Sequence, residues 1–320
     1  MRIVIPDDVF RLYEGGPAID RLRRLGEVAH YTENAPDPEA LLERLAGCEA
    51  ILTTRYQTDF KSTDLLDHLP GLRIISVMGT RPRMIDMKRA RARNIAVSVT
   101  PGASSQSVAE HTIALILGLA KRLAAVIPAM QAGGWPRSSG VELGGKTLGL
   151  MGFGHIGMKV CRMALGLGMR VIVWSKRMTP ERAEAEGARA ATMEECLGAD
   201  VVSLHLHVNE ETRGIMSAGR IALMKPEAFL VNTSRAALVE EGALVEALRA
   251  GRIAGYGADV FEPDEPLPAD SPYRALENTL LTPHSAWDTD GTLARFASLP
   301  VGNIEAFLRG EPQNLVEEDA

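Results

Sequence analysis

The chain has 320 residues, enough for two domains that each bury a core of their own. Its 35 Lys and Arg against 41 Asp and Glu leave a net charge of −6, which gives no electrostatic case for nucleic acid or an anionic membrane surface. A 46% hydrophobic share excludes a disordered or collagen-like chain, and Cys48, Cys161 and Cys196, with no CxxC among them, exclude a disulfide framework or structural zinc.

From the N-terminus, MRIVIPDDVF has neither the basic segment nor the apolar run of a signal peptide, so a cytoplasmic protein is expected. Short β-rich runs over 2–5, 28–31, 50–53, 73–77 and 95–99 alternate with helical patterns over 20–25, 39–45 and 61–68. Such alternation is the mark of a parallel sheet covered by helices on both faces. After the turn Thr100-Pro101-Gly102, residues 104–127 read as one long helix, apolar on most of its circumference and ended by Pro128. Its Glu110, His111, Lys121 and Arg122 are too many charges for a membrane span. An irregular, Gly- and Pro-rich excursion follows over 131–145. A second series of strands is expected over 147–151, 170–174, 201–206, 228–231, 253–258 and 279–281, with helices over 181–187 and 238–250 and a last one over 292–308. The fold class is α/β: two doubly wound parallel-sheet domains, the second inserted into the first, with chain crossings at 104–127 and 289–308.

The sharpest local signal is Gly152-Phe153-Gly154-His155-Ile156-Gly157, between the strand KTLGLM and an apolar-faced helix. Gly152 permits a tight turn and Gly154 lets the backbone approach a pyrophosphate. Gly157 lets the helix pack close to the strand, and the helix start points free amides at the anion. Residues 101–286 are therefore expected to form a Rossmann cofactor domain. It is inserted into a flavodoxin-like substrate domain built from 1–100 and 287–320. At the end of the second strand of that domain, where an NAD site usually offers Asp or Glu to the ribose, stands Ser175-Lys176-Arg177. With no acid to repel a 2′-phosphate, NADP is favoured over NAD; the alternative is a solvated basic turn beside an unselective pocket.

Three later segments end on polar groups: Val231-Asn232-Thr233-Ser234-Arg235, the run from Asp259 through Glu262, Asp264 and Glu265 to Pro266, and Leu281-Thr282-Pro283-His284. In an open parallel sheet, ligands bind beyond the carboxyl ends of the strands. Together with GFGHIG, SVTPGASSQSVAEH (98–111), SLHLHVNEETRGIM (203–216) and NTLLTPHSAW (278–287), they make the chain resemble the D-isomer-specific 2-hydroxyacid dehydrogenases. The resemblance runs from about residue 73 to 308. It implies two αβ domains, a homodimer, a small 2-oxo or 2-hydroxy acid substrate, and hydride exchange with a nicotinamide.

The resemblance also implies roles. Arg235 matches the arginine that clamps the substrate carboxylate, and His284 the general acid/base. Glu265 matches the glutamate that holds the histidine protonated, with Asp264 as runner-up because the loop is one residue longer than usual. Val108 would lie near the nicotinamide ring, His155 and Ile156 would cap the pyrophosphate with their amides, and Ser175 would face the adenosine ribose. Leu206, His207 and Thr212 would line the adenine and ribose side; Thr233, Ser234 and Arg235 would close over the nicotinamide, and Asp259 would lie near its amide. In the substrate domain, Met78-Gly79-Thr80-Arg81 replaces the usual Gly-rich loop. Amides of Gly79, Thr80 and Arg81 are expected to bind the acid, while Arg81 and Arg83 either recognise a second anionic group or are solvated.

Other side chains read more plainly. His205 and His207 have metal-ligand spacing but no companions, so no metal is expected. His30, His68 and His111 read as surface or capping residues. Trp135 either reaches a partner subunit or anchors its own loop. A reductase of glyoxylate or hydroxypyruvate type is the leading expectation. A corepressor-like nucleotide sensor on the same fold is the rival, and phosphonate oxidation or adenosyl-homocysteine hydrolysis a weaker third.

Overall fold

A computed structural model describes residues 1–54, 58–61, 63–262 and 266–316. It divides into two compact units, Met1–Ser104 with Thr289–Ala320, and Ser105–Asp288.

The first unit is a five-stranded sheet of β1 (Arg2–Ile5), β2 (Glu27–His30), β3 (Ala50–Thr53), β4 (Ile74–Val77) and β5 (Ala96–Ser98). The order is β2-β1-β3-β4-β5 and every pairing is parallel. Strands β3 and β4 are buried along their whole length, which is why they read as unbroken apolar runs. Alternate residues feed opposite faces: Ile3, Ile5 and Leu52 pack with Leu22, Val301 and Ile304, while Val4, Ile51 and Ile75 pack with Leu45 and Leu66. The last helix, Asp290–Leu308, starts with Thr289 accepting from the Thr292 amide. Pro300 lies inside it and cannot donate to the Phe296 carbonyl; the Tyr13 hydroxyl donates there instead, at 3.0 Å.

The second unit holds β6 (Thr147–Met151), β7 (Arg170–Trp174), β8 (Arg189–Ala190), β9 (Val201–Leu204), β10 (Phe229–Asn232), β11 (Gly255–Ala258) and β12 (Thr279–Leu281). Their order, β12-β11-β10-β9-β6-β7-β8, is parallel throughout. The chain changes direction across the sheet between β6 and β9, the switch point at which open α/β sheets bind their ligands. The two-residue β8 gives no periodicity to read and has no counterpart among the expected strands.

The expected single helix over 104–127 is two helices, Ser105–Ala120 and Leu123–Gln131, bent by 71°. The break falls at Arg122, whose backbone is left-handed at φ 54°, and Pro128 lies inside the second helix. The Ala120 carbonyl is taken by the Val141 amide at 2.7 Å, and Lys121 Nζ donates to the Val141 carbonyl at 2.9 Å. The returning excursion thus claims the groups that would have continued the helix. No residue of the second helix is buried. Over 61–68 the described structure is a single 3₁₀ turn, Leu65–His68, rather than a full helix. Among the described residues no single helix is long and apolar enough to cross a membrane.

Candidate active site

The glycine-rich turn follows β6 and opens the helix His155–Gly166. Gly152 has φ 105°, and a Cβ there would collide with the His205 carbonyl at the tip of β9. A Cβ at Gly157 would stand 2.6 Å from the Gly152 carbonyl, so these two positions exclude any side chain. Gly154 differs: nothing lies within 4 Å of where its Cβ would be, and the helix starts without a side-chain cap. Open space above a bare backbone and uncapped amides of His155 and Ile156 fit a pyrophosphate. Phe153 is buried beneath the turn. Its carbonyl accepts from Arg182 Nη2 at 2.7 Å, and the Arg182 guanidinium lies 5.9 Å from its ring.

At the end of β7, Ser175 is half-buried and its carbonyl accepts from the Met178 amide. Lys176 bonds both oxygens of Glu211 at 2.7 Å on the surface. Arg177 is exposed and has no ion pair among the described residues. Sequence reasoning passed over Arg182, whose contact with the glycine turn depends on the tertiary fold.

The neighbouring strand ends are joined in series along one sheet edge. The His205 amide donates to Met151, and the His205 ring bonds the Ser203 hydroxyl at 2.9 Å. Burial pushes its pKa down to about 4, so the ring is neutral and serves the loop rather than a charge. Thr212 donates to the His207 carbonyl at 2.6 Å and accepts from the Asn209 amide. Its hydroxyl therefore shapes the 207–212 loop. Ser234 Oγ donates to the Leu206 carbonyl at 2.6 Å, and Thr233 Oγ1 lies 2.8 Å from the Thr112 hydroxyl. Thr112 also donates to the carbonyl of buried Val108. Asn232 is wholly buried; it accepts from the Ser234 amide and donates to the Arg235 carbonyl, folding the turn that presents Arg235 at the surface.

Asp259, at the tip of β11, is 1% exposed. Its carboxylate accepts from Thr282 Oγ1 at 2.6 Å and from the amides of Ser285 and Ala286 at 3.0 and 2.9 Å. It braces the turn carrying His284. His284 is half-buried with φ 53°. Glu265 and Asp264, the two candidates for its partner, lie outside the described residues.

In the first unit, the loop after β4 carries Met78 to Arg83. The Met78 amide donates to the Thr53 carbonyl at 3.0 Å, and the Gly79 amide to Thr100 Oγ1 at 2.8 Å. Gly79, expected to offer its amide to an acid, is thus committed to the fold; the amides of exposed Thr80 and half-buried Arg81 have no partner among the described residues. Thr53, Thr54 and Thr58 all donate to buried Asp7, whose pKa is raised by burial. Arg81 lines a small cavity of about 10 Å³ with Thr54, Thr58 and Phe60, and has no ion pair among the described residues.

The model for D-isomer specific 2-hydroxyacid dehydrogenase, NAD binding domain, matches residues 113–286. A glyoxylate reductase of Aeropyrum pernix is 38% identical over 314 residues, covering 94% of this chain and 93% of that protein. The chain belongs to the D-isomer specific 2-hydroxyacid dehydrogenase family. A hydroxypyruvate reductase of Blautia hydrogenotrophica is 30% identical over 99% of this chain and 100% of its own length. Among solved structures, an acyclic imino acid reductase in complex with NADPH and D-Arg superposes with a TM-score of 0.80 at 27% identity, covering 99% of this chain and 100% of that one. This 2-hydroxyacid dehydrogenase is accordingly an oxidoreductase that acts on CH–OH groups with a nicotinamide cofactor, which the glycine turn and its uncapped amides fit. The nucleotide-sensing alternative is not favoured.

Proposed function

We propose that the enzyme reduces small 2-oxo acids of the glyoxylate or hydroxypyruvate kind to D-2-hydroxy acids, with NADPH preferred to NADH, as a cytoplasmic homodimer. The observation that carries this reading is the full-length similarity to reductases named for those two acids, on a chain that presents Arg235 after β10 and His284 after β12, with β11 between them in the sheet. The unit Ser105–Asp288 is the cofactor domain and the other the substrate domain.

When bound, the reduced nicotinamide supplies the hydride. The chain's own residues do the rest. Gly152, Phe153 and Gly154 lay bare backbone along the pyrophosphate, and the His155 and Ile156 amides neutralise it. The Arg235 fork grips the carboxylate and polarises the keto oxygen. His284 gives its ring proton to that oxygen as negative charge develops, and Glu265, with Asp264 as the alternative, keeps the ring protonated. On the first unit, the amides of Thr80 and Arg81 have no hydrogen-bond partner among the described residues.

The preference for NADPH is supported by Ser175 standing where an acid would repel a 2′-phosphate, with Arg177 and Arg182 as cations near that strand end and Lys176 held by Glu211. The dimer is supported by the helix Leu123–Gln131, which exposes Leu123, Ile127 and Met130 while Trp135 stands 85% exposed beyond it. A second copy would cover that apolar face. The test is a cofactor-oxidation assay of the purified protein against a panel of 2-oxo acids with each cofactor. Glyoxylate or hydroxypyruvate turned over best with NADPH supports the reading; turnover of neither acid refutes it.

A further inference from the structure

We infer that His111 is a positioning residue for the His284 turn, acting through Thr282 and Asp259. His111 lies on the helix Ser105–Ala120, with its side chain 23% exposed, and reads from sequence as a surface or capping group. Its Nε2 is 2.8 Å from Thr282 Oγ1, which is 2.6 Å from Asp259 Oδ1. His111 Nε2 itself stands 3.6 Å from that carboxylate oxygen.

The donors can be assigned by counting protons. A carboxylate taking two backbone amides and a hydroxyl is an acceptor only, so Thr282 gives its single proton to Asp259 at 2.6 Å rather than to the Ala258 carbonyl at 3.3 Å. The Thr282 oxygen then accepts, and His111 must carry its proton on Nε2. The relay runs His111 Nε2–H to Thr282 O–H to Asp259, and the same carboxylate holds the Ser285 and Ala286 amides. Residues on both sides of His284 are thereby tied to one buried group. His284 sits between them in a left-handed backbone, φ 53°, a conformation that costs a non-glycine residue free energy and persists only where its surroundings hold it. A general acid needs its proton aimed at the reacting oxygen, and a small misplacement lowers the rate steeply. The long helix that starts the second unit is thus wired to the turn bearing the acid.

The inference rests on the proposed role of His284, so the experiment has an arm independent of turnover. His111→Leu removes the donor, whereas His111→Gln keeps an Nε2 donor at similar reach. His111→Leu is expected to lower kcat about 10-fold with acid KM and cofactor Kd moved no more than about twofold, and His111→Gln to recover most of it. Thr282→Val should match His111→Leu, and the double variant should be no worse than either single, because both break one relay. By NMR, the His284 ring resonances, identified by their loss in His284→Ala, should move in His111→Leu and return in His111→Gln. Unmoved His284 resonances with wild-type kcat in His111→Leu would overturn the inference, as would multiplying effects in the double variant. Should the wild-type enzyme reduce no 2-oxo acid, the functional reading falls while the NMR comparison still decides this one.

Discussion

Two glycine-bearing turns follow strands at the carboxyl ends of the two sheets, after β6 and after β4, and each is a place where sequence points to an anion. Their backbones are spent differently. After β6, Gly152 and Gly157 are pressed against carbonyls while Gly154 faces open space and the next helix leaves its first amides unclaimed. After β4, Gly79 at φ 140° has open space beside it too, yet its amide is held by Thr100 and that of Met78 by Thr53. A glycine makes room for an anion, but only neighbours that do not claim its amide leave the anion something to bind.

The comparison breaks most visibly at the first turn. Gly152→Ala sets a methyl against the His205 carbonyl in a backbone that disfavours side chains, so it should cost about 2–4 kcal/mol of stability and abolish cofactor binding. Gly154→Ala has room in the fold, so its melting temperature should stay near wild type while the cofactor Kd rises, the methyl standing where the pyrophosphate lies. Thermal melts and fluorescence titration separate the two. Equal losses of stability would mean that Gly154 is structural.

Cofactor choice comes next. Ser175→Asp should shift the NADPH to NADH ratio of kcat/KM toward NADH by about 1–3 kcal/mol, read by steady-state kinetics. Glu211→Gln releases Lys176 and should raise the preference for NADPH by a smaller factor. A wild-type enzyme indifferent to the two cofactors would make the basic turn plain surface.

At the second turn, Thr100→Val removes the acceptor of the Gly79 amide. The loss should be about 1 kcal/mol by urea denaturation, with a raised KM for the acid and little change in cofactor Kd. A pH-dependent effect belongs to His205. Its folded pKa, about 4, lies below that of an unfolded histidine, so the unfolded chain takes up the proton first. The stability it protects is fully present above about pH 6.5 and falls as pH drops toward 4. Denaturation curves over that range should slope less steeply for His205→Gln than for wild type.

What could be read from sequence follows the range of the interactions. The apolar runs of β1, β3, β4 and β6 are local and marked both sheets, as GFGHIG marked the cofactor turn. The break at Arg122 was hidden because Val141, far along the chain, supplies the bond that ends the helix. Lys176 is tied to Glu211 and His111 to Thr282 by contacts that no spacing announces. Arg235 and His284 were legible as strand-end residues; how Asn232 and Asp259 shape their turns was not, because both act through backbone amides and carbonyls.

The central claim is that His284 gives the proton in reduction of a small 2-oxo acid. The most direct measurement is single-turnover reduction of glyoxylate and hydroxypyruvate by wild type and His284→Ala, with cofactor Kd determined in parallel. The expected rate is at least about 10²-fold lower in the variant, with unchanged cofactor affinity. Near-normal turnover by His284→Ala would contradict it.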